Sequence, residues 1–109
     1  MAERNLTLAD SHTHIDMPQF DPDRDAVVAR ARAAGVETML IVGGVDEEAG
    51  HRRALRVAEE LSLPASAGVH PHEARLATTA TYDELRGLAR DQRIVAIGEI
   101  GRASCRERV

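Results

Sequence analysis

Short, largely apolar runs alternate along this chain with segments in which apolar residues recur at helical spacing. The predicted strands are residues 6–12, 36–42, 65–69 and 94–97, and the second contains the unbroken run Met39-Leu40-Ile41-Val42. Such a run is typical of a parallel strand covered on both faces. The order βαβαβαβ therefore predicts an α/β fold with parallel strands and right-handed crossovers.

The first predicted helix begins near Asp21 and Pro22, an N-cap residue followed by proline at the first helical position. It is expected to end at Gly35. Its 3.6-residue periodicity predicts an inward face. The residues on that face are Val27, Ala31 and Ala34.

The second predicted helix runs from about Asp46 to Ser62, and the third opens with a capping box formed by Thr81 and Glu84. Helical periodicity also predicts which residues of these two helices face the core. They are Ala54, Leu55, Ala58 and Leu61 in the second helix, and Leu85, Leu88 and Ala89 in the third.

Histidine and carboxylate side chains follow three of the four predicted strands. His12 and His14 end the first strand, His70 and His72 follow the third, and Glu99 follows the fourth. Because the carboxyl ends of parallel strands meet at one edge of a sheet, we expect these residues to gather there. A metal-dependent hydrolase needs such a gathering.

The spacing of His12 and His14 suits two ligands of one cation. Alternate residues of a strand point to the same face, so both imidazoles lie on one side and Thr13 on the other. Imidazole suits zinc, whereas a carboxylate such as Glu99 also admits manganese or magnesium and can bridge two cations. Two cations about 3.5–4 Å apart can activate water and stabilise both oxygens in cleavage of a phosphate ester. The cofactor prediction is two divalent metal ions, Zn, Mg or Mn.

Each of these motifs also has an ordinary structural explanation. His70 and His72 are compatible with a polar loop, and Glu99 with a solvent-exposed strand end. Their shared position at strand ends favours the metal site. Asp16 is expected to cap the segment that follows it. His51 lies among charged residues of the second predicted helix and is interpreted as a solvated surface histidine.

Composition narrows the class of protein. The chain has 109 residues, one domain or less, and a net charge of -4, which argues against nucleic-acid binding through a broad basic surface. Aromatic residues make up only 2% of the chain, so the core must consist of small aliphatic side chains.

The sequence also bears on disulfides and location. One cysteine cannot form an internal disulfide. Without a recognisable signal peptide or membrane-spanning run, a cytoplasmic location is expected.

Taken together, the segments LADSHTHID, GVHPHEA and AIGEIG resemble the TatD family of metal-dependent deoxyribonucleases, within the wider amidohydrolase-like superfamily. The resemblance covers residues 6 to about 101. It implies a (β/α)8 TIM barrel and a phosphodiesterase that cleaves DNA by metal-activated water. A TIM barrel takes about 250 residues. The chain is therefore expected to form the N-terminal half of a barrel, with unpaired edges on the first and fourth strands.

The same resemblance implies roles for individual residues. His12 and His14 correspond to ligands of the first metal, and Glu99 to the catalytic carboxylate shared by both metals. His70 and His72 match a loop beside the substrate and are predicted to contact its phosphate. Two later histidines and an aspartate complete the family's site on strands that this chain lacks, so we expect the chain itself to be weakly active or inactive.

Residues 1–100 are predicted to form a partial TatD-like barrel domain, and residues 101–109 a non-native tail. The tail GRASCRERV matches the translation of a common short-read sequencing adapter, whereas the family has glycine, leucine and aspartate near this position. On this interpretation Glu99 is itself partly adapter-derived. The alternative is a genuine basic C terminus.

Other functions stay open at this point. A phosphoesterase of the polymerase-and-histidinol-phosphatase type also begins with a His-x-His-x-Asp motif, and other amidohydrolases act on cyclic amides. A different class of hypothesis is a non-catalytic half-barrel that associates with a partner chain through its open edges. The predicted substrate is DNA or another phosphodiester.

Overall fold

The computed structural model describes residues 6–44 and 50–98. Strands and helices alternate in the predicted βαβαβαβ order, which confirms the α/β class. The strands are β1 (Leu8–Thr13), β2 (Val36–Val42), β3 (Ala65–Ala67) and β4 (Ile94–Ile97), and the helices are α1 (Arg24–Ala33), α2 (Gly50–Leu61) and α3 (Thr79–Leu88). Short 3-10 helices, Pro18–Phe20 and Pro71–Leu76, follow β1 and β3.

The four strands form one parallel sheet in the order β1-β2-β3-β4. Parallel pairing brings all four carboxyl ends to the same edge, which is where α/β proteins bind their ligands. β1 and β4 are the outer strands of the described sheet, and Leu8, Val95 and Ile97 expose much of their apolar surface there. Within residues 6–44 and 50–98, β1 and β4 each pair with one strand, so this part of the sheet has the two open edges that were expected.

The core lies where α1 and α2 cover the inner strands. Ile41 of β2 and Val57 of α2 are fully buried, and Val28 is the buried residue of α1. Each such side chain stabilises the fold by roughly 1.5–3 kcal/mol relative to an exposed one. Alanines fill much of the remaining core, as the composition predicts. None of the helices within the described ranges is long and apolar enough to cross a membrane.

The predicted start of α1 at Asp21 is wrong. The helix begins at Arg24, after a turn at residues 21–23, because Arg24 Nη2 donates a hydrogen bond to Asp21 Oδ1 at 2.6 Å and uses the carboxylate expected to cap the helix. Ala34 is exposed rather than inward-facing. The predicted end is confirmed, because Gly35 adopts a φ of 105° that favours glycine.

The capping box of α3 is formed by Thr78 and Thr81, one turn before the predicted pair. Thr78 Oγ1 accepts from the Thr81 N–H at 3.4 Å, and Thr81 Oγ1 accepts from the Thr78 N–H at 2.9 Å. Ala89 follows the helix and is exposed, so its predicted inward position is also wrong. In α2 the predicted inward face is confirmed at Ala54 and Ala58, which are both buried. Its predicted start near Asp46 lies outside the described residues.

Gly43, directly after β2, has no room for a side chain. A Cβ atom there would lie 2.9 Å from both Ala54 Cβ and Ser66 O. We predict that Gly43→Ala lowers the free energy of unfolding by about 1–3 kcal/mol, because the added methyl group overpacks this position. The melting temperature should fall by several degrees. Gly44→Ala is the matched control, because its Cβ would meet only Gly68 O at 3.7 Å. Equal melting temperatures for the two variants, measured by circular dichroism, would contradict this account of the packing.

Candidate active site

A cleft of about 340 Å³ opens at the carboxyl edge of the sheet. Its walls come from the segment after β1, the end of β2, helix α2 and the segment after β3. The lining residues are His14, Asp16, Met17, Gln19, Val42, Gly43, Gly44, Arg53, His70 and Glu73. Two of the predicted site residues, His14 and His70, therefore share one cleft.

Each of these two histidines has a second histidine beside it. The ring centres of His12 and His14 lie 5.1 Å apart with the planes nearly perpendicular, and those of His70 and His72 lie 4.7 Å apart. His12 and His14 are both exposed. Their ring contact places them on one side of the strand, as the alternation of side chains requires.

The donor set at the edge of the sheet fits part of a metal site. His12 and His14 supply two imidazoles, which suit a divalent ion and leave coordination positions open. Within residues 6–44 and 50–98, three or more His, Cys, Asp or Glu side chains do not come close enough together to hold a metal ion. Glu99, the predicted third ligand, lies outside the described residues.

His70 uses one ring nitrogen to shape its own loop. Its Nδ1 accepts a hydrogen bond from the His72 N–H at 2.9 Å and so caps the 3-10 helix Pro71–Leu76. With Nδ1 as acceptor, the neutral ring carries its proton on Nε2. This bond holds the loop on which His70 lines the cleft.

Arg24, the first residue of α1, fastens the turn that follows His14. Its Nε donates to Ile15 O at 2.7 Å, and its Nη2 to Met17 O at 3.0 Å and Asp16 O at 3.2 Å. The side chain is largely buried. These bonds fix the backbone on which one wall of the cleft is built.

Asp16 belongs to the same wall, but it does not cap the following segment as predicted. Met17 precedes the 3-10 helix Pro18–Phe20, and the Asp16 carboxylate turns inward, 1% exposed. Asp16 Oδ2 accepts a hydrogen bond from Arg53 Nε at 3.2 Å. Asp16 Oδ1 is buried without a hydrogen-bond partner in the described part of the chain. Because a buried carboxylate is costly unless it is paired, Arg53 stabilises this arrangement.

The interpretation of His51 as a solvated residue is wrong. The residue is 4% exposed, and its Nε2 lies 3.0 Å from Gly68 O and 3.1 Å from Gly68 N. Its Nδ1 lies 3.3 Å from Glu84 Oε1 of α3. The spacing of His51, Ala54 and Ala58 puts all three on the buried face of α2, and this periodicity would have identified His51.

His51 thus ties α2 to the start of the GVHPH segment. We predict that His51→Ala lowers the free energy of unfolding by about 1–3 kcal/mol, because the Gly68 N–H, which donates to His51 Nε2, loses its partner in a buried position. Arg52→Ala, one residue along on the exposed face, is the matched control. Chemical denaturation measures both changes, and a His51 variant as stable as the Arg52 variant would contradict the assigned role.

Comparison with known proteins places this arrangement in a family. The family model described as TatD-related DNase matches residues 9–108 of this chain. The 3'-5' ssDNA/RNA exonuclease TatD of Musicola paradisiaca is 45% identical over 96 residues, covering 84% of this chain and 35% of the relative. The proteins of the same name from Cronobacter turicensis and Salmonella typhimurium are 45% and 41% identical, over 81% and 84% of this chain and 33% and 35% of the relatives.

The chain thus spans about a third of the length of the curated relatives it matches. Its four parallel strands in βαβαβαβ order are consistent with part of a TatD barrel. Because the match covers nearly the whole sequence, the chain belongs to the TatD-related DNase family.

Proposed function

We propose that the chain supplies part of the active site of a metal-dependent nuclease that hydrolyses phosphodiester bonds. The observation that carries this proposal is the cleft at the carboxyl edge of the sheet, which His14 and His70 enter from different strands. Family membership supports the reaction class. A phosphoesterase of another family or a cyclic amidohydrolase is less well supported, because the family match favours a DNase.

His12 and His14 would hold a divalent ion, with Glu99 as the predicted carboxylate ligand and catalytic residue. When bound, a divalent ion activates water as a nucleophile and stabilises the leaving oxygen of the phosphodiester. The number of ions and their identity as Zn, Mg or Mn remain predictions from the donor chemistry.

The remaining residues of the cleft would bind and orient the substrate. His70 and His72 would contact the phosphate of the substrate, because His70 lines the cleft and the two rings lie 4.7 Å apart. Gly43 and Gly44 line the cleft without side chains, so a sugar–phosphate backbone can approach the strand ends closely.

The substrate class follows from the relatives, which are named 3'-5' ssDNA/RNA exonucleases. We propose single-stranded DNA or RNA as the substrate, cleaved from the 3' end. With a net charge of -4, the chain would depend on local contacts in the cleft rather than on long-range attraction to nucleic acid.

A second candidate function rests on the open edges of the sheet. β1 and β4 expose Leu8, Val95 and Ile97, and exposed edge strands favour pairing with another chain. A non-catalytic half-barrel that associates with a partner would use these edges. Size-exclusion chromatography distinguishes the two functions: a stable complex without metal binding favours association, whereas metal binding and hydrolysis favour the nuclease.

The nuclease proposal predicts that His12→Ala and His14→Ala each weaken binding of Mn²⁺ or Zn²⁺. The loss should exceed the about 10–100-fold that removal of an outer-shell partner costs. Isothermal titration calorimetry measures the affinity, and release of nucleotides from a labelled single-stranded oligonucleotide measures hydrolysis, which EDTA should abolish.

Thr13→Ala is the control for these variants, because it changes the same strand on the opposite face. Unaltered metal affinity in both histidine variants would refute the metal site. Loss of affinity in the Thr13 variant as well would show that the change acts on the fold rather than on the ligands.

A further inference from the structure

We propose that the carboxylate of Glu73 accepts a hydrogen bond from the free 3'-hydroxyl of a nucleic-acid strand and disfavours a 3'-phosphate at the same place. The inference rests on the proposed function, in which a strand is cleaved from its 3' end. It adds to that function a residue that selects the chemistry of this end. It depends on the position of Glu73 in the cleft, the charges around it and the hydrogen-bonding capacity of its carboxylate.

Glu73 lies in the first turn of the 3-10 helix Pro71–Leu76 and lines the cleft together with His14 and His70. Its N–H donates to His70 O at 2.8 Å. Residues three apart in a 3-10 turn lie one above the other, so His70 and Glu73 share one face. A phosphate at His70 would therefore leave the sugar of the same nucleotide, with its 3'-hydroxyl, beside Glu73.

The charges of the cleft favour a hydroxyl over a phosphate at Glu73. Of the described residues that line it, three carry a full charge at neutral pH: Asp16, Arg53 and Glu73. The first two form a largely buried ion pair, Nε to Oδ2 at 3.2 Å, so their charges offset each other. Glu73 adds a negative charge. Because like charges repel, a phosphate group beside it is unfavourable.

The ion-pair partner of Glu73 does not occupy its carboxylate. Arg75 Nη2 lies 3.8 Å from Glu73 Oε2, which is longer than a hydrogen bond. The Arg75 side chain is 68% exposed, so water screens its charge. An ionised carboxylate can only accept hydrogen bonds. A hydroxyl can donate to it in a charge-assisted bond, whereas a fully ionised phosphate offers acceptor oxygens alone.

The test is binding of three 5'-fluorescein-labelled oligothymidylates that end in a 3'-hydroxyl, a 3'-hydrogen or a 3'-phosphate. Fluorescence anisotropy gives each Kd for the 109-residue chain in EDTA, so that neither hydrolysis nor a bound metal ion contributes. We expect the wild-type chain to bind the hydroxyl end at least about tenfold more tightly than either other end, because that end alone donates to the carboxylate.

Glu73→Gln removes the charge but keeps the size of the side chain and one acceptor oxygen. The preference of this variant for the hydroxyl end over the phosphate end should fall to about twofold or less, mainly through tighter binding of the phosphate end. The ratio of the two Kd values is the informative quantity. A variant that only loosened the 3-10 helix would weaken binding of all three strands alike.

Glu59→Gln is the matched control, because it removes the same charge from an exposed position in the second half of α2, outside the cleft. It should keep the wild-type preference. The inference is overturned if Glu73→Gln keeps that preference or if Glu59→Gln loses it as well. Equal binding of the three ends by the wild-type chain, or binding of none, would overturn it too.

Metal binding separates this inference from the nuclease proposal. Glu73→Gln should bind Mn²⁺ with wild-type affinity in isothermal titration calorimetry, and a loss would identify Glu73 as a metal ligand and contradict the role given to it. Metal binding that depends on His12 and His14, without a preference among the three strand ends, would refute this inference alone. An end preference that depends on Glu73, without metal binding, would refute the nuclease proposal and leave the hydroxyl contact standing.

Discussion

Backbone hydrogen bonds between β2 and β3 align the strand ends on which the cleft is built. The Ile41 N–H donates to Pro64 O, and the Gly43 N–H donates to Ser66 O, each at 3.0 Å. Because the two strands are parallel, Gly43 and the GVHPH segment emerge at the same edge of the sheet. A shift of this register would move His70 away from the wall that carries His14.

Side chains of α1 and α2 then hold the segments that follow β1 and β3 in place through hydrogen bonds. Arg24 of α1 binds the turn after His14, while Arg53 and His51 of α2 bind Asp16 and Gly68. Each of these side chains lies in the first half of its helix. In a βα unit this part of the helix is close to the carboxyl ends of the strands, so long polar side chains there can reach the site.

The apolar runs correctly predicted where the strands lie. The start of α1 and the burial of His51, which depend on polar contacts, were not predicted. β2 and β4 occupy the predicted residues, because a near-continuous apolar run is typical of a buried parallel strand and marks where that strand lies in the sequence. The start of α1 was missed because Arg24 reaches across the turn to Asp21, a contact that local propensity does not contain. His51 was missed because charged neighbours outweighed its helical spacing with Ala54 and Ala58.

The histidines of the candidate site could be predicted from the sequence, but the contacts that hold the walls of the cleft together could not. The positions of His14 and His70 after their strands indicated a common edge, but the ion pair of Asp16 with Arg53 depends on tertiary packing over many residues. The metal role of Glu99, the non-native status of residues 101–109 and a cytoplasmic location stay predictions. Glu99 and the tail lie outside the described part of the chain.

The most direct test of the account is where a divalent ion binds on the sheet. Paramagnetic Mn²⁺, titrated into the isotopically labelled chain, broadens the amide signals of nearby residues in nuclear magnetic resonance spectra. We predict that the signals of His12, His14 and His70 broaden first, whereas those of Leu63 and Arg93, at the opposite ends of the strands, are unaffected. Broadening that is centred elsewhere, or that persists unchanged when His12 and His14 are both replaced by alanine, would contradict the account.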